Sequence, residues 1–377
     1  MTPDDDRVPY LLTPGPLTTS DATRLAMMRD WGSRDADFIA LTARVRKRLV
    51  ALVNGGTDYV CLPVQGSGTF AVEAALGSLV PQSSGLLVAA NGAYGRRLAT
   101  IAGRLGRACT LWETPEDRPV DPDELSRRLV ADTSLGKVAV IHCETTSGIL
   151  NPLAEIAEAC AAHDRGLLVD AMSSFGALPI DAPSLSADAL MASSNKCLEG
   201  VPGIGFVIAR TDALLEAEGR STSLSLDLHA QWQGFEANGQ WRFTPPVQVL
   251  AALDTALKQH AEEGGVAGRG ARYTANCRAL ISGMRALGFQ SLLDDAVQAP
   301  VIVTFREPAD PNFEFVKFYA ALRGHGYAIY PGKLTDTPSF RIGCIGAIDA
   351  DVIAGALKAV ANTMTELGIA SGAPLPR

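Results

Sequence analysis

Closely spaced cysteines are absent from this 377-residue sequence, and so are the histidine pairs of many zinc enzymes. Its seven cysteines are scattered without a Cys-x-x-Cys pair, and its five histidines show no His-Glu-x-x-His spacing. This pattern is typical of a reducing cytosol and fits neither a disulfide framework nor a zinc site. We therefore expect a cytoplasmic protein without a bound metal.

Long apolar runs and an excess of basic residues are lacking as well. No apolar stretch approaches the roughly 18 residues that a membrane span requires. The N-terminus, Met1-Thr-Pro-Asp-Asp-Asp-Arg, is acidic where a signal peptide would be basic and then apolar. The net charge of −8 argues against a general binder of nucleic acid or of anionic membranes. An anionic substrate would need local positive groups, because the overall field repels it.

Short apolar runs alternate with longer helical patterns over residues 60–210. They predict strands at 60–64, 85–90, 108–112, 137–142, 166–170, 189–193 and 205–209, with helices at 71–79, 95–105, 122–130 and 153–163. Such alternation is typical of an α/β fold with a mainly parallel sheet, here of seven strands, and helices on both faces. Ligands of these sheets bind at the carboxyl ends of the strands.

Residues 220–247 break the alternation and predict a long loop, which in a compact domain is usually functional or interfacial. Helices are predicted next, at 247–260 and 273–287. The remaining patterns predict a β-α-β-β-α unit, with strands at 301–305, 327–330 and 339–344 and helices at 313–324 and 352–367. We expect a large domain over 26–260, a small C-terminal α+β domain over 261–377, and an N-terminal segment, 1–25, that packs on the small domain.

Two charged residues stand at the ends of buried-strand patterns. Lys196 follows the strand at 189–193, and Asp170 ends the run Gly166-Leu-Leu-Val-Asp. A lysine can hold the aldehyde of pyridoxal phosphate (PLP) as a Schiff base, and an aspartate can keep the pyridine nitrogen protonated so that the ring accepts electrons. Taken singly, such a lysine is usually a solvated surface residue, and such an aspartate is often a helix N-cap.

Three further strand ends carry groups that suit the same cofactor. Gln65-Gly-Ser-Gly-Thr-Phe opens a helix, so its N–H groups and the hydroxyls of Ser67 and Thr69 can cradle a phosphate, although a tight turn alone would also explain the glycines. Tyr94 can stack on a planar ring or be an ordinary turn residue. His142-Cys-Glu-Thr-Thr-Ser-Gly offers hydroxyls to a phenolic oxygen or to a helix N-terminus. Together, the five strand ends predict a PLP site.

The same stretches resemble the fold-type I, class V PLP-dependent aminotransferases, and the resemblance covers nearly the whole chain. The matching stretches are Leu11-Leu-Thr-Pro-Gly-Pro-Leu-Thr, Gln65-Gly-Ser-Gly-Thr-Phe, Asn91-Gly-Ala-Tyr-Gly-Arg, His142-Cys-Glu-Thr-Thr-Ser-Gly-Ile-Leu-Asn-Pro, Val169-Asp-Ala-Met-Ser-Ser-Phe-Gly, Ser194-Asn-Lys-Cys-Leu-Glu-Gly-Val-Pro-Gly, Gly239-Gln-Trp-Arg-Phe-Thr-Pro-Pro and Ser339-Phe-Arg-Ile-Gly. Within the family, the resemblance is strongest to members that act on 2-aminoethylphosphonate and pyruvate. It implies a transaminase of phosphonate metabolism that forms phosphonoacetaldehyde and L-alanine.

The resemblance also implies roles for individual residues. Lys196 would be the Schiff-base lysine and Asp170 the partner of the pyridine nitrogen. The other cofactor contacts would be Ser67, Gly68, Thr69 and Asn195 at the phosphate, Tyr94 over the ring, and Thr145 or Thr146 at the phenolic oxygen. Thr244, in the segment 220–247, would reach the phosphate of the partner subunit's cofactor, so the active sites would be shared across a homodimer.

Arg341 would bind the acidic end of the substrate, and Gly15 would lie in the loop that lines the entrance. A planar guanidinium can grip a phosphonate or a carboxylate through two parallel hydrogen bonds, which suits an enzyme whose donor and acceptor use one site in turn. A surface arginine on a strand is the alternative. The stretch at 31–37 resembles the family less well, so Arg34 is either a second anion contact or a surface charge.

Three other functions compete with this one. An alanine– or serine–glyoxylate transaminase would have the same fold, cofactor and lysine. A cysteine desulfurase would need a thiol on a mobile loop before Arg341, but residues 310–340 contain no cysteine, and Cys344 follows the arginine. A non-catalytic nucleotide-binding α/β protein would require the lysine, the acid and the arginine to be coincidental.

Overall fold

The computed structural model of the protein describes residues 8–332 and 337–375. Its elements in chain order are β1 (Tyr10–Leu11), α1 (Asp21–Leu25), a 3₁₀ turn (Ala26–Met28), α2 (Ala36–Ala51), β2 (Tyr59–Gln65), α3 (Gly68–Leu79), β3 (Gly85–Ala90), α4 (Ala93–Arg104), β4 (Cys109–Glu113), α5 (Pro122–Ala131), β5 (Leu135–Ile141), β6 (Cys143–Glu144), β7 (Ile149–Leu150), α6 (Leu153–Ala162), β8 (Gly166–Asp170), β9 (Ala189–Ser193), β10 (Ile204–Arg210), α7 (Thr211–Leu215), α8 (Leu228–Asn238), α9 (Val247–Glu262), α10 (Gly265–Ala286), β11 (Ile302–Arg306), α11 (Phe315–Gly324), β12 (Tyr327–Ala328), β13 (Tyr330–Pro331), β14 (Ser339–Gly343) and α12 (Ala350–Leu367).

A seven-stranded sheet forms the centre of the molecule, in the order β2-β10-β9-β8-β5-β3-β4. Its members are the seven strands predicted between residues 60 and 210. β10 runs antiparallel to β2 and β9, while the other neighbouring pairs are parallel. Ile141 pairs with Asp170, and Asp170 pairs with Met191, so the carboxyl ends of β5, β8 and β9 lie side by side.

Each face of the sheet is covered by helices over its own apolar core. In β5, Val138 and Val140 point into the core beneath α2, α5, α6 and α9. Ala139 and Ile141 point into the opposite core, beneath α3, α4 and α8. This alternation follows from the pleat of a strand, and burial on both faces explains why these strands are continuous apolar runs. The predicted α/β fold class is confirmed.

A smaller antiparallel sheet, β11-β14-β13, packs with α10, α11 and α12 around a third core. β1 pairs in parallel with β12, and Leu12 is buried in this core. Further along the N-terminal segment, the Ser20 hydroxyl donates a hydrogen bond at 2.9 Å to the side chain of Gln259 in α9. Helix α9 is one of the helices that cover the large sheet. The segment therefore touches both parts of the molecule. The domain boundaries at residues 25 and 260 stay predictions.

The predicted loop at 220–247 was wrong in part, because it contains α8. Asp227 accepts a hydrogen bond from Ala230 N at 3.0 Å and caps the helix start. Gly239, with φ +74°, ends it. Leu228 and Phe235 are the buried residues of this helix, and glutamines lie between them. The apolar face is therefore too narrow to indicate a helix from the sequence.

Helix α10 begins eight residues before the predicted start at residue 273. Three glycines in its first turns lower the helix propensity of the sequence there. One of them is required by packing, since a Cβ at Gly270 would collide with the carbonyl oxygen of Ala177. Across the described residues, none of the helices has both the length and the apolar character needed to cross a bilayer.

Candidate active site

A cavity lies at the carboxyl ends of the parallel strands and is lined by eight of the predicted site residues. They are Ser67, Gly68, Thr69, Tyr94, Thr145, Asp170, Asn195 and Lys196. Sequence reasoning did not single out Arg97, Cys143 or Met172, which line the same cavity. Four other predicted residues, Gly15, Thr146, Thr244 and Arg341, lie outside this lining and are described below.

Lys196 stands in the turn that follows β9. The side-chain nitrogen of Lys196 donates a hydrogen bond to the carbonyl oxygen of Pro14, so the N-terminal loop lies against the lysine. A Cβ at Gly15, which has φ +107°, would lie 2.8 Å from Lys196 Cδ and from the carbonyl oxygen of Asn195. Burial lowers the pKa of Lys196, partly offset by Tyr94, Cys197 and Asp170. The lysine is therefore nearer to its neutral, nucleophilic form than a surface lysine is.

Asp170 ends β8 and is only 6% exposed. Its Oδ1 accepts a hydrogen bond from Met172 N at 2.9 Å. Burial raises the pKa of Asp170 to about 7, although the Met172 N–H, Lys196 and Arg97 each lower it. A buried carboxyl group of this kind becomes a stable carboxylate when a cationic N–H group pairs with it.

The predicted phosphate cradle joins β2 to α3. Gly68 and Thr69 are the first two residues of α3, and the first N–H groups of a helix have no acceptor within the helix. A Cβ at Gly205 of β10 would lie 3.0 Å from the carbonyl oxygen of Ser67, so the glycine lets the turn approach the sheet. A Cβ at Gly68 would collide with Met172 Sδ. The turn thus presents N–H and hydroxyl donors to an anion in the cavity.

Glu144, which sequence reasoning missed, organises the two threonines and the start of α4. Its buried carboxylate accepts hydrogen bonds from Tyr94 N at 3.1 Å, Gly95 N at 3.3 Å and Thr146 N at 3.1 Å. The Thr146 hydroxyl donates to it as well, and Ala93 N donates to that hydroxyl at 3.1 Å. Burial raises the pKa of Glu144, and these hydrogen bonds lower it. Thr146 is thereby engaged inside the protein, whereas Thr145 lines the cavity.

Arg341 lies in β14 beside the cavity and is 5% exposed. One guanidinium nitrogen donates to the carbonyl oxygen of Thr145 at 2.9 Å, and Nε donates to that of Pro331 at 3.0 Å. Burial lowers the pKa of Arg341, and Tyr94, Glu144 and Tyr330 raise it. The guanidinium plane is therefore fixed, and the part of its fork not bound to these carbonyls can meet an anion.

Thr244 belongs to a different cavity, on the far side of the cradle turn. Gln65, Gly66, Phe70 and Phe243 line that cavity with it. Thr244 is exposed, and the rings of Phe70 and Phe243 are each 48% exposed. Arg34 is also exposed and lies outside both cavities.

The family model described as aminotransferase class-V matches residues 22–335. A curated relative, 2-aminoethylphosphonate–pyruvate transaminase 2 of Burkholderia lata, is 55% identical over 361 residues, which cover 96% of both chains. The 2-aminoethylphosphonate–pyruvate transaminase of Pseudomonas fluorescens is 53% identical over 361 residues, covering 96% of this chain and 98% of that one.

Solved structures agree on the fold. Pyridoxamine–pyruvate aminotransferase from Mesorhizobium loti superimposes with a TM-score of 0.88 at 25% identity, covering 97% of this chain and 94% of that one. Alanine–glyoxylate aminotransferase from Nostoc sp. superimposes with a TM-score of 0.89 at 23% identity and covers 97% of each chain. The chain belongs to the class-V aminotransferases.

Proposed function

We propose that this protein is a PLP-dependent transaminase that converts 2-aminoethylphosphonate and pyruvate to phosphonoacetaldehyde and L-alanine. The main support for PLP chemistry is that Lys196 and Asp170, at the ends of two neighbouring strands, line the same cavity. The choice of substrates is supported by relatives of that name, which are more than 50% identical over nearly the whole chain.

The donor set of the cavity fits PLP. An amine, an acid whose pKa is about 7, an aromatic ring and a phosphate cradle line one space. Ser67, Gly68, Thr69 and Asn195 would hold the phosphate, Tyr94 would face the ring, and the Thr145 hydroxyl would meet the phenolic oxygen. Thr146 is the weaker candidate for that oxygen because Glu144 already binds its hydroxyl. PLP, when bound, supplies a ring that accepts the electron pair left by a departing proton.

Lys196 moves the proton on which the reaction depends. Its amine would hold the cofactor's aldehyde, and burial favours the neutral amine that this requires. As a free amine, Nζ would act as the base that removes a proton from the substrate carbon that bears nitrogen. Asp170 would hold a proton at the ring nitrogen. The expected kinetics are ping-pong, because the aldehyde formed from the amino donor would leave before pyruvate enters.

Arg341 orients both substrates through their acidic ends. Its guanidinium would bind the phosphonate of the donor and then the carboxylate of pyruvate. Because the residue is buried, water competes less for the anion than it would at the surface. The local positive charge also offsets the net charge of −8 that opposes anionic substrates.

The protein would act as a cytoplasmic homodimer with shared active sites. Thr244 lines a surface cavity with two half-exposed phenylalanines, and a second subunit packed there would cover these rings. Thr244 would then reach the phosphate of the partner subunit's cofactor. The seven free cysteines, most of them buried, suit a reducing compartment.

The test is an absorption spectrum of the purified protein before and after 2-aminoethylphosphonate is added without pyruvate. A yellow protein that bleaches with the phosphonate and recovers its colour with pyruvate supports the proposal. Bleaching with serine or alanine but not with the phosphonate would assign the protein to the glyoxylate transaminases instead.

Lys196→Ala should abolish turnover, and substantial activity in a PLP-loaded Lys196→Ala protein would contradict the role of the lysine.

A further inference from the structure

Arg97 lines the candidate active site on the side of the phosphate cradle, although neither its sequence motif nor the proposed mechanism gives it a role. It lies on α4, three residues after Tyr94. One guanidinium nitrogen donates to the Thr69 hydroxyl at 3.4 Å. The guanidinium carbon lies 4.9 Å from the centroid of the Tyr94 ring, within the range of a cation–π contact. Two groups assigned to the cofactor thus hold this arginine at the rim of the cavity.

The neighbouring Arg96, on the same helix, has its charge compensated by carboxylates. It forms ion pairs with Glu113 at 2.5 Å and Glu116 at 3.3 Å, away from the cavity. By contrast, no carboxylate in the described part of the chain lies within 4 Å of Arg97 in an ion pair. Arg97 therefore places a positive charge beside the cradle without an ion-pair partner among the described residues, although it also interacts electrostatically with Asp170.

The chemistry of the cofactor calls for such a charge. A phosphate monoester carries a charge of about −1.5 to −2 at neutral pH. Among the described residues that line the cavity, the cationic side chains are Lys196 and Arg97, and the acidic one is Asp170. Lys196 is committed to the aldehyde at the other end of the cofactor. Arg97 remains as the side chain whose charge can balance the phosphate next to Thr69.

We propose that Arg97 is a ligand of the cofactor's phosphate group, which it binds together with Thr69 while its guanidinium rests on Tyr94. This inference rests on the PLP assignment in the proposed function. The phosphonate of the substrate has the same oxyanion chemistry, but Arg341, which is proposed to bind it, donates to the carbonyl oxygens of Thr145 and Pro331 and has no hydrogen bond to the cradle. The cradle itself belongs to the cofactor.

The experiment compares PLP with pyridoxal, which has the aldehyde and the ring but no phosphate. Cofactor-free wild type, Arg97→Gln and Arg97→Lys are titrated with each compound, and the dissociation constant is read from absorbance without any substrate. We expect Arg97→Gln to weaken PLP binding about tenfold or more, because it removes a charged hydrogen bond. Pyridoxal binding should be unchanged, and Arg97→Lys should restore part of the affinity for PLP. Arg96→Gln, with the same change of charge, should bind PLP as the wild type does.

Three results would overturn the inference. If Arg97→Gln binds PLP normally, or loses affinity for PLP and pyridoxal equally, the arginine is not a phosphate ligand. If only the KM for 2-aminoethylphosphonate rises, the arginine serves the substrate's phosphonate. A wild-type protein that binds neither PLP nor pyridoxal would instead contradict the proposed function, so the two failures are distinguishable.

Discussion

Arg341 donates a hydrogen bond from its guanidinium group to the carbonyl oxygen of Thr145 at 2.9 Å. The bond links β14 of the smaller sheet to the turn between β6 and β7, where the next residue, Thr146, donates a hydrogen bond to Glu144. The group proposed to bind the substrate's anion and the hydroxyl proposed to bind the ring are therefore held at a fixed separation.

Replacing Arg341 by lysine should raise the KM for both substrates together. Lysine keeps the charge, but it loses the planar fork and the bond to Thr145. We expect an increase of about tenfold or more in both KM values, in steady-state assays, with PLP binding unchanged. Arg285→Lys is a control, because Arg285 is a surface arginine paired with Asp295. An effect on one substrate alone would mean that donor and acceptor use different anion sites.

Asp170 should make the cofactor-free protein less stable as the pH rises. Its pKa is about 7 in the folded state and 3.8 as a free side chain. As the pH rises from about 4 to 7, the unfolded state therefore loses this proton before the folded state does. The free energy of unfolding falls by up to roughly 4 kcal/mol over this range, and this loss of stability, the penalty, is constant above pH 7. Asp170→Asn lacks the penalty. Urea unfolding should show a stability advantage of the variant that grows from pH 5 to pH 7.

A difference between the two proteins that does not change with pH would contradict this prediction. With PLP bound, the order should reverse. The carboxylate then gains a cationic partner, and asparagine cannot replace that interaction. The turnover number of Asp170→Asn should fall at least about 100-fold, which is the lower end of what a positioned acid or base contributes.

Gly15→Ala should damage catalysis more than it damages the fold. The new Cβ would meet Lys196 Cδ and the carbonyl oxygen of Asn195 at 2.8 Å, so the lysine must move. Gly326→Ala is the matched control, since Gly326 also has a positive φ, +89°, but open space around its Cβ position. We expect both variants to lose thermal stability because of the positive φ, and Gly15→Ala to lose more because of its contact with the Asn195 carbonyl oxygen. Only Gly15→Ala should lose kcat, by up to about 100-fold. Equal kcat values would show that the loop does not constrain the lysine.

The two neighbouring threonines should respond differently to replacement by valine. Thr146→Val removes a donor from the buried Glu144 carboxylate and should cost about 1–3 kcal/mol of the free energy of unfolding. Thr145→Val should leave stability nearly unchanged and shift the absorption of bound PLP, because Thr145 lines the cavity. Chemical denaturation and visible spectra of both variants provide the comparison. The opposite pattern would assign the ring contact to Thr146.

Mixed dimers can test the proposed sharing of active sites. Lys196→Ala removes the lysine, and Thr244→Arg places a large side chain on the surface around Phe70 and Phe243. If Thr244 serves the partner subunit, a mixed dimer contains one site with neither change. Two inactive variants should then regain activity when they are refolded together, and size-exclusion chromatography should show dimers. No recovery in a mixture that does form dimers would contradict the sharing.

The large sheet could be predicted almost completely because its strands are buried on both faces. The ranges predicted for β3, β8 and β9 agree with the structure at both ends. The start of α10 and the whole of α8 could not be predicted, since glycines and glutamines mask helices that tertiary contacts stabilise. Local pattern indicates a helix only where the apolar stripe is wide.

The candidate site divides in the same way. Lys196, Asp170 and the cradle could be predicted because each ends a strand, and parallel strands bring their ends together. The roles of Glu144 and Arg97 could not be predicted, because both depend on tertiary contacts of α4. Glu144 accepts a hydrogen bond from the start of α4, and Arg97 of α4 donates one to Thr69 in the cradle. The choice between Thr145 and Thr146 likewise depends on which side of one turn each hydroxyl faces.

The N-terminal segment contacts both parts of the molecule and the reactive lysine between them. Strand β1 pairs with β12, the carbonyl oxygen of Pro14 accepts a hydrogen bond from Lys196, and the following stretch is hydrogen-bonded to Gln259 of α9. Any movement of the C-terminal part against the large sheet would therefore change the contact between Pro14 and Lys196. Cutting the chain between Leu11 and Thr13, or fusing a bulky tag near β1, would therefore disturb the reactive amine directly.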